Sequence, residues 1–159
     1  MDIASVKLNV LVIGGGRMGK AFIKGLSHST NHNIYLAESN IERKNELKND
    51  FDINISNSEN QIKDFLSLSD IIILCVKPQT LKLLQDDLKN KISEKQTVLS
   101  IMAGISTEKL CSSLNIENSV RIMPNTPGQL GKGISVWFSK NNIINEIKLN
   151  IETILESLG

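Results

Sequence analysis

The chain has 159 residues, of which 40% are hydrophobic and 22% are charged, and these proportions are typical of one soluble globular domain with its own core. Its 18 Lys and Arg residues nearly balance its 17 Asp and Glu residues, so the net charge gives no attraction for nucleic acid or an anionic membrane. The longest apolar run, residues 71–76, is too short to cross a bilayer, and the N-terminus lacks the pattern of a signal peptide. We expect a cytoplasmic protein that binds neither nucleic acid nor membranes.

The cysteines and histidines show no spacing that is typical of a metal or catalytic site. Cys75 and Cys111 lie far apart, without a C-x-x-C motif and without a histidine near either. This argues against a zinc site and a disulfide framework, and it favours a reducing compartment. His28 and His32 flank a polar turn without a catalytic partner at a suitable spacing, so we interpret both as surface residues. The sequence predicts neither a metal ligand nor a catalytic residue.

Predicted strands and helices alternate along the chain. Residues 8–13 form a β-branched run closed by glycine, typical of a strand buried on both faces, and apolar residues recur at helical spacing over residues 17–26. Further strands are predicted in NIYLAES, INIS, DIIILCV, TVLSIMAG and SVRIMP, and further helices in NIERKNELKND (opened by an Asn cap), SENQIKDFLS, KPQTLKLLQDDLKNKI and STEKLCSSL. We predict an α/β fold: a Rossmann-type doubly wound, mostly parallel sheet with helices on both faces.

A closing amphipathic helix is predicted after a last strand in GKGISVWFS. Gly159 follows it in a position suited to a C-cap, and its apolar stripe consists of Ile144, Ile147, Ile151, Ile154, Leu155 and Leu158. If exposed, this stripe would offer a partner surface. Trp137 and Phe138 are expected to cover the sheet edge, and Met102 and Met123 are expected in the core. Residues 1–159 are thus predicted to form one domain.

A glycine-rich turn joins the first predicted strand to the first predicted helix. Gly14, Gly16 and Gly19 form a G-x-G-x-x-G motif in this context. Gly14 suits the tight turn, Gly16 lets a pyrophosphate approach the backbone, and Gly19 lets the helix pack close to the strand. Free N–H groups and the positive end of the helix dipole then bind the phosphates. Because no Gly-Lys-Ser/Thr follows, a nucleoside triphosphate cradle is excluded, and a dinucleotide site is predicted.

An acidic residue stands at the end of the second predicted strand. Glu38 lies where a carboxylate would accept from the adenosine ribose hydroxyls, which favours NAD and repels the extra phosphate of NADP. Ser39, Asn40, Arg43 and Lys44 follow at once and could hold that phosphate instead. A purely structural role, in which Glu38 solvates a strand end, is the third interpretation. The sequence leaves NADP or NAD as the cofactor.

Two further loops follow predicted strands, where open α/β sheets bind ligands. Lys77 and Pro78 come after the strand IIILCV, so the ammonium can lie near a cofactor while the proline fixes the turn. Residues 121–128, RIMPNTPG, place an Asn-Thr pair between two prolines in a rigid loop. Such a loop suits recognition of a carboxamide or a bound water. A plain exposed lysine and a merely structural loop are the alternatives.

Four segments, in this order, resemble the cofactor-binding half of pyrroline-5-carboxylate reductase: IGGGRMGKAFIKGL, DIIILCVKPQ, VLSIMAGIS and VRIMPNTP. The resemblance covers nearly the whole chain, and VKP with MPNTP after G-x-G-x-M-G is its most specific part. It implies a cofactor site with Gly14, Gly16, Met18 and Gly19 at the pyrophosphate and Ser39 by the adenosine ribose or its phosphate. Toward the other end of the cofactor, it implies Val76, Lys77 and Pro78 at the nicotinamide ribose. Around the nicotinamide itself it implies Ala103, Gly104, Asn125 and Thr126. Arg17 and Glu38 complete the predicted cofactor-binding set.

The resemblance also implies a reaction. Members of this family bind NADPH or NADH and deliver hydride to the C=N bond of a cyclic imine, 1-pyrroline-5-carboxylate, giving L-proline. In the family a helical domain for substrate binding and dimerisation follows, and we expect the present chain to stop before it. Since cofactor binding without substrate alignment gives no rate acceleration, little or no turnover is expected from this chain alone.

Two other functions stay open at this point. The chain could be a stand-alone dinucleotide-binding module without catalysis. It could instead be another NAD(P)-dependent oxidoreductase with the same first domain, such as a deazaflavin-dependent NADP reductase.

Overall fold

A seven-stranded sheet organises the part of the chain that the computed structural model describes, residues 7–29 and 32–159. The strands are β1 (Asn9–Ile13), β2 (Asn33–Ala37), β3 (Asn54–Ile55), β4 (Ile71–Leu74), β5 (Thr97–Ser100), β6 (Ser119–Pro124) and β7 (Ser135–Ser139). Their order is β3-β2-β1-β4-β5-β6-β7, with β1 to β6 parallel and β7 antiparallel to β6. The predicted mostly parallel, Rossmann-type sheet is confirmed.

Helices cover both faces of this sheet, as predicted. They are α1 (Arg17–Ser29), α2 (Ile41–Asp50), α3 (Glu59–Leu68), α4 (Leu81–Leu88), α5 (Thr107–Leu114) and α6 (Asn145–Glu156). Successive side chains of a strand point to opposite faces, so β1 sends Val10 and Val12 into one core with α1, α2 and α6, and Leu11 and Ile13 into a second core with α3, α4 and α5. The sheet is therefore buried on both sides at its centre, which explains its continuous apolar strands.

Short polar caps define where several helices begin. The Asn40 side chain accepts a hydrogen bond from the Arg43 N–H at 2.8 Å and opens α2, so the predicted Asn cap is confirmed. Ser58 and Ser106 cap α3 and α5 in the same way. The helix predicted in KPQTLKLLQDDLKNKI is shorter than expected: a 3₁₀ turn, Pro78–Thr80, leads into α4, which ends at Leu88. Soon after it, Asn90 adopts a left-handed φ of 62°, which no α-helix continues.

The direction of winding reverses between β1 and β4. The strands β2 and β3 lie on one side of β1, whereas β4, β5 and β6 lie on the other. Because these six strands are parallel, their carboxyl ends meet at one edge of the sheet. Open α/β sheets bind ligands at such a reversal point, in the crevice beyond the carboxyl ends. The fold thus places any ligand site next to the turns that follow β1 and β4.

The closing helix is present, and most of its apolar stripe is buried within the domain. Ile151, Ile154, Leu155 and Leu158 are buried in the core that includes α1, and of the remaining two only Ile144 is largely exposed, at 63%. The condition for a docking face, exposure of the stripe, is therefore not met for most of its residues. The helix is also capped by Ser157 rather than by Gly159, which lies two residues further on.

Several predicted environments need correction. Met102 is buried as expected, but Met123 is 58% exposed because β6 turns it away from the buried Ile122. Trp137 and Phe138 lie on β7, which is itself the edge strand; Trp137 packs against the core, while Phe138 is 58% exposed.

The two histidines differ in their surroundings. His28 is exposed, as expected. His32 is only partly exposed, and its Nδ1 accepts from the Leu8 N–H at 3.1 Å, so the surface interpretation of this residue is wrong. Burial lowers the pKa of the His32 ring.

Some expectations fall on residues 1–6 and 30–31, which lie outside the described residues. These include the signal-peptide argument, the start of the predicted domain and part of the polar turn between the histidines. Within residues 7–29 and 32–159, none of the helices is long and hydrophobic enough to pass through a bilayer.

The contact of α1 with the end of α6 gives a stability prediction. A Cβ at Gly25 would collide with the backbone carbonyl oxygen of Ser157. We expect Gly25→Ala to lower the free energy of unfolding by about 1–3 kcal/mol through overpacking, although Ala is the better helix former. Urea denaturation measures this change. The exposed Lys24→Ala on the same helix should stay within about 0.5 kcal/mol, and an equally stable Gly25→Ala would contradict the packing described here.

Candidate functional site

The turn after β1 has a conformation that requires glycine. Gly14 has a φ of 98°, in the region that side chains rarely adopt. Its N–H donates to the carbonyl of Ala37 at 2.9 Å, and an added Cβ would lie 2.7 Å from the Cys75 carbonyl oxygen. The turn is therefore held between the ends of β2 and β4, at the reversal point of the sheet.

Gly19 brings α1 close to this turn. An added Cβ at Gly19 would collide with the carbonyl oxygen of Gly14 and lie 3.4 Å from the Cys75 Cβ. Only a glycine allows the first turn of α1 to rest on the backbone that leaves β1. The N-terminus of α1 is thereby aimed along the carboxyl edge of the sheet.

Gly16 faces open space in front of α1. Its carbonyl accepts from the Lys20 N–H at 2.8 Å, which makes it the N-cap, and an added Cβ would meet nothing within 4 Å. The first N–H groups of any α-helix lack partners within the helix, and the first turn of α1 carries no acidic side chain. This end of α1 therefore fits an anion that approaches the backbone closely, as a pyrophosphate does.

The carboxylate of Glu38 lies beside the same turn, and its side chain is only 4% exposed. Its Oε2 accepts from the Gly15 N–H at 2.8 Å and from Arg43 Nη1 at 3.0 Å, and its Oε1 accepts from the Asn40 N–H at 2.8 Å. The interpretation of Glu38 as a solvated strand end is therefore wrong. The side chain connects the glycine turn, the end of β2 and the start of α2.

These contacts set the protonation of Glu38. Burial raises the pKa of the Glu38 carboxyl, but the N–H groups of Asn40 and Gly15 and the guanidinium of Arg43 outweigh it, so the pKa lies below its ordinary value. Glu38 is ionised at neutral pH, and its charge is paired with that of Arg43.

The segment after β4 lies directly against the glycine turn. A Cβ at Gly14 would be 2.8 Å from Val76 Cγ1, so the two predicted site residues are neighbours. Lys77 is exposed, and its carbonyl accepts from the Thr80 N–H at 2.9 Å. Pro78 opens the 3₁₀ turn that follows, where its missing N–H costs no hydrogen bond.

The loops after β5 and β6 complete this edge of the sheet. Ala103 and Gly104 are exposed beyond β5, and Gly104 has a φ of 74°. Asn125 and Thr126 follow β6 and are exposed. The Asn125 Oδ1 accepts from the Ile134 N–H at 2.9 Å, so its amide oxygen braces the loop. The cofactor roles of these four residues remain predictions.

The remaining predicted residues lie close to the turn. Arg17 is exposed at the first position of α1, Met18 is partly buried against the core, and Ser39 is exposed after β2. Gly15 was missed by the sequence reasoning, although it stands in the middle of three glycines. A Cβ there would lie 2.6 Å from Leu47 Cδ1, so Gly15 allows α2 to approach the turn.

Among residues 7–29 and 32–159, no group of three or more His, Cys, Asp or Glu side chains is placed to hold a metal ion. Cys75 is partly buried against the core behind the turn, and desolvation of its thiol raises the pKa, so it behaves as a small apolar group.

The sheet order and the glycine turn define a Rossmann domain with an anion-accepting helix N-terminus at its reversal point. Residues 9–104 match the family described as "NADP oxidoreductase coenzyme F420-dependent", and the chain belongs to this family.

Curated relatives and solved structures agree on a narrower likeness. The chain is 30% identical over 155 residues to a pyrroline-5-carboxylate reductase of Pasteurella multocida. This alignment covers 95% of the present chain and 56% of the relative. It is 31% identical over 141 residues to the Arabidopsis thaliana protein of the same name, covering 86% of this chain and 49% of the relative. The chain spans about half the length of the curated relatives it matches, and the predicted resemblance is confirmed over that half.

Among solved structures, the 1-pyrroline-5-carboxylate reductase of Streptococcus pyogenes superposes with a TM-score of 0.81 at 26% identity, covering 96% of this chain and 56% of the other. The Plasmodium falciparum pyrroline carboxylate reductase, solved with NADP bound, superposes with a TM-score of 0.75 at 23% identity. The superposition covers 96% of the present chain and 55% of the other. The second likeness shows the fold alone.

The paired carboxylate gives a pH prediction. Because the folded-state pKa of Glu38 is depressed, its contribution to stability is complete above the unfolded value of about 4.3 and is lost as the pH falls from there through the folded value. We expect Glu38→Gln to lower the free energy of unfolding at pH 7 by about 1–3 kcal/mol, with a smaller difference from the wild type in acid. Urea denaturation at pH 7, 5 and 3 measures this.

The exposed Glu42→Gln, two residues into α2, is the control and should change stability by less than about 0.5 kcal/mol. A difference between wild type and Glu38→Gln that stays constant from pH 7 to pH 3 would contradict the charge pairing.

Proposed function

We propose that this chain is the cofactor-binding half of a pyrroline-5-carboxylate reductase and that it binds NADP or NAD at the carboxyl edge of its sheet. The observation that carries the proposal is the open backbone at Gly16, in front of a helix N-terminus that Gly14 and Gly19 hold against β1. The likeness to curated reductases supports the reaction, and the family description supports NADP as a cofactor. We also propose that residues 1–159 form a single dinucleotide-binding domain.

The proposed cofactor contacts follow the order of the loops along the edge. The pyrophosphate would lie on the α1 N-terminus at Gly14, Gly16, Arg17, Met18 and Gly19. The adenosine ribose would lie toward Ser39 and the end of β2. The nicotinamide end would lie toward β4, β5 and β6, at Val76, Lys77, Pro78, Ala103, Gly104, Asn125 and Thr126.

The protein's part in the reaction is positioning. When bound, the reduced nicotinamide supplies the hydride for the C=N bond of the cyclic imine. The rigid turns after β4 and β6, one begun by Pro78 and the other braced by Asn125 through the Ile134 N–H, would fix the direction in which the nicotinamide faces. No side chain of this half is proposed to transfer a proton. The imine is the proposed substrate of the whole enzyme.

The family description also names coenzyme F420, so F420-dependent NADP reduction is the second candidate function. Both candidates use the same dinucleotide site. The cytoplasmic location and the lack of nucleic acid or membrane partners stay predictions from the sequence.

The binding site can be tested by titrating the folded chain with NADPH and NADH in a calorimeter. We expect saturable binding of at least one, and at least a tenfold loss of affinity in Gly16→Ala, because its Cβ would occupy the space in front of the helix N-terminus. The stability of this variant should stay within about 1 kcal/mol of the wild type, since the Cβ meets no protein atom.

Two variants control this experiment. Ser27→Ala, exposed and far along α1, should leave affinity unchanged. Gly19→Ala should lower stability by more than Gly16→Ala, because its Cβ collides with the Gly14 carbonyl. Unchanged affinity in Gly16→Ala would contradict the proposed phosphate position.

The reductase function predicts a low rate for the 159 residues alone. The chain covers about half of its relatives, and cofactor binding without the parts that align the imine gives little acceleration. We expect NADPH-dependent proline formation at less than about 1% of the median enzyme turnover of ~10 s⁻¹. Turnover near that median would show that the part of the relatives beyond the matched half is not needed for the reaction.

A further inference from the structure

We propose that Glu38 is a positioning residue that holds Arg43 at the glycine turn, and that Arg43 so placed selects a dinucleotide with a phosphate on its adenosine ribose, NADP, over NAD. The inference rests on the proposed function and extends it to cofactor choice. It reverses the simplest interpretation of an acidic residue at the end of the second strand, which favours NAD.

The carboxylate of Glu38 is already occupied by the protein. Three hydrogen bonds reach it, from the N–H groups of Gly15 and Asn40 and from the guanidinium of Arg43, all at 2.8–3.0 Å. Its side chain is 4% exposed. A ribose diol needs an open acceptor at this point, and Glu38 offers little surface for one.

The charge that faces solvent here is that of Arg43. Its side chain is 45% exposed, and only one of its five guanidinium N–H donors is needed for the bond to Glu38 Oε2. A guanidinium binds phosphate through a planar pair of N–H donors, and the Glu38 contact restrains this guanidinium beside the turn. The negative charge of Glu38 is compensated by this same contact.

Arg43 is also in the right place relative to the glycine turn. A Cβ at Gly15 would lie 3.2 Å from Glu38 Oε2 and 3.6 Å from Arg43 Cδ, so the stem of Arg43 passes within van der Waals reach of the turn. The adenosine ribose is bonded directly to the pyrophosphate. A ligand with its pyrophosphate at Gly16 therefore brings the ribose substituents toward Arg43.

The other groups at this point both help and oppose a phosphate. Arg43 is in the first turn of α2, whose positive dipole end and neighbouring Lys44 attract an anion, and Ser39 is exposed as a further donor. Glu42, in the same turn, is exposed and repels one. The pre-oriented guanidinium decides the balance because a bidentate contact is stronger than a screened charge at the surface.

The test measures dissociation constants for NADPH and NADH by calorimetry with wild type, Arg43→Met, Arg43→Lys and Glu38→Gln. We expect wild type to prefer NADPH at least tenfold. Arg43→Met, which keeps the apolar stem, should weaken NADPH at least tenfold and NADH less than about twofold. Arg43→Lys keeps the charge without the planar fork, and should lose about three- to tenfold for NADPH while remaining folded.

Glu38→Gln separates positioning from simple charge. If Glu38 positions Arg43, this variant lowers the preference for NADPH even though a negative charge has been removed. Lys48→Met, an exposed cation in the last turn of α2, is the matched control and should leave the preference unchanged.

Three results would overturn the proposal. Stronger NADPH binding in Glu38→Gln would show that Glu38 only repels phosphate, and a selective loss of NADH binding would show that it binds the ribose. Equal loss of both nucleotides in Arg43→Met would show a structural role alone. In each of these cases the wild type still binds a dinucleotide, whereas binding of neither nucleotide would overturn the proposed function as well.

Discussion

The close approach of α1 to the backbone that leaves β1 is the constraint on which the site depends. Gly19 rests on the carbonyl of Gly14, and Gly14 has a left-handed φ that places its own backbone against the end of β4. Any side chain at either position would push the helix away from the sheet. Because α1 also packs through Gly25 on the end of α6, one helix joins the apolar core to the edge that carries the candidate site. The packing of α1 therefore determines both the fold of the core and the geometry of the candidate site.

The Glu38 carboxylate extends this constraint to α2. It is an almost fully buried charge, and such a charge is tolerated only when it is paired and hydrogen-bonded. Two backbone N–H groups and Arg43 meet that requirement. The result is a connection between the segment proposed to contact the pyrophosphate and the segment proposed to contact the adenosine ribose. Lys20, which bonds both Glu46 and Asp50, ties α1 to α2 at the surface and supports the same arrangement.

The sheet and the glycine turn could be predicted from the sequence because each depends on local patterns. Continuous β-branched runs, helical periodicity and a G-x-G-x-x-G motif between them leave few alternatives. The environments of Glu38, His32 and Met123 could not be predicted, since each depends on which distant segment packs beside it. Glu38 meets Gly15 only after β1 and β2 pair, and Met123 is exposed because of the face of β6 on which it lies. The end of α4 was missed although Asn90 was a local sign of it, because Asn is one of the few residue types besides Gly that adopt the left-handed conformation at helix ends.

The backbone N–H groups at the start of α1 are proposed to receive the linked phosphates of a dinucleotide. Amide NMR spectra of the folded chain, recorded while NADPH is added, test it most directly. If the phosphates bind there, the amide signals of Gly15, Gly16, Arg17 and Met18 will show large, saturable shifts, with much smaller changes in α3 and α4. Shifts confined to other parts of the chain, or none with NADPH and NADH at millimolar concentration, would contradict it.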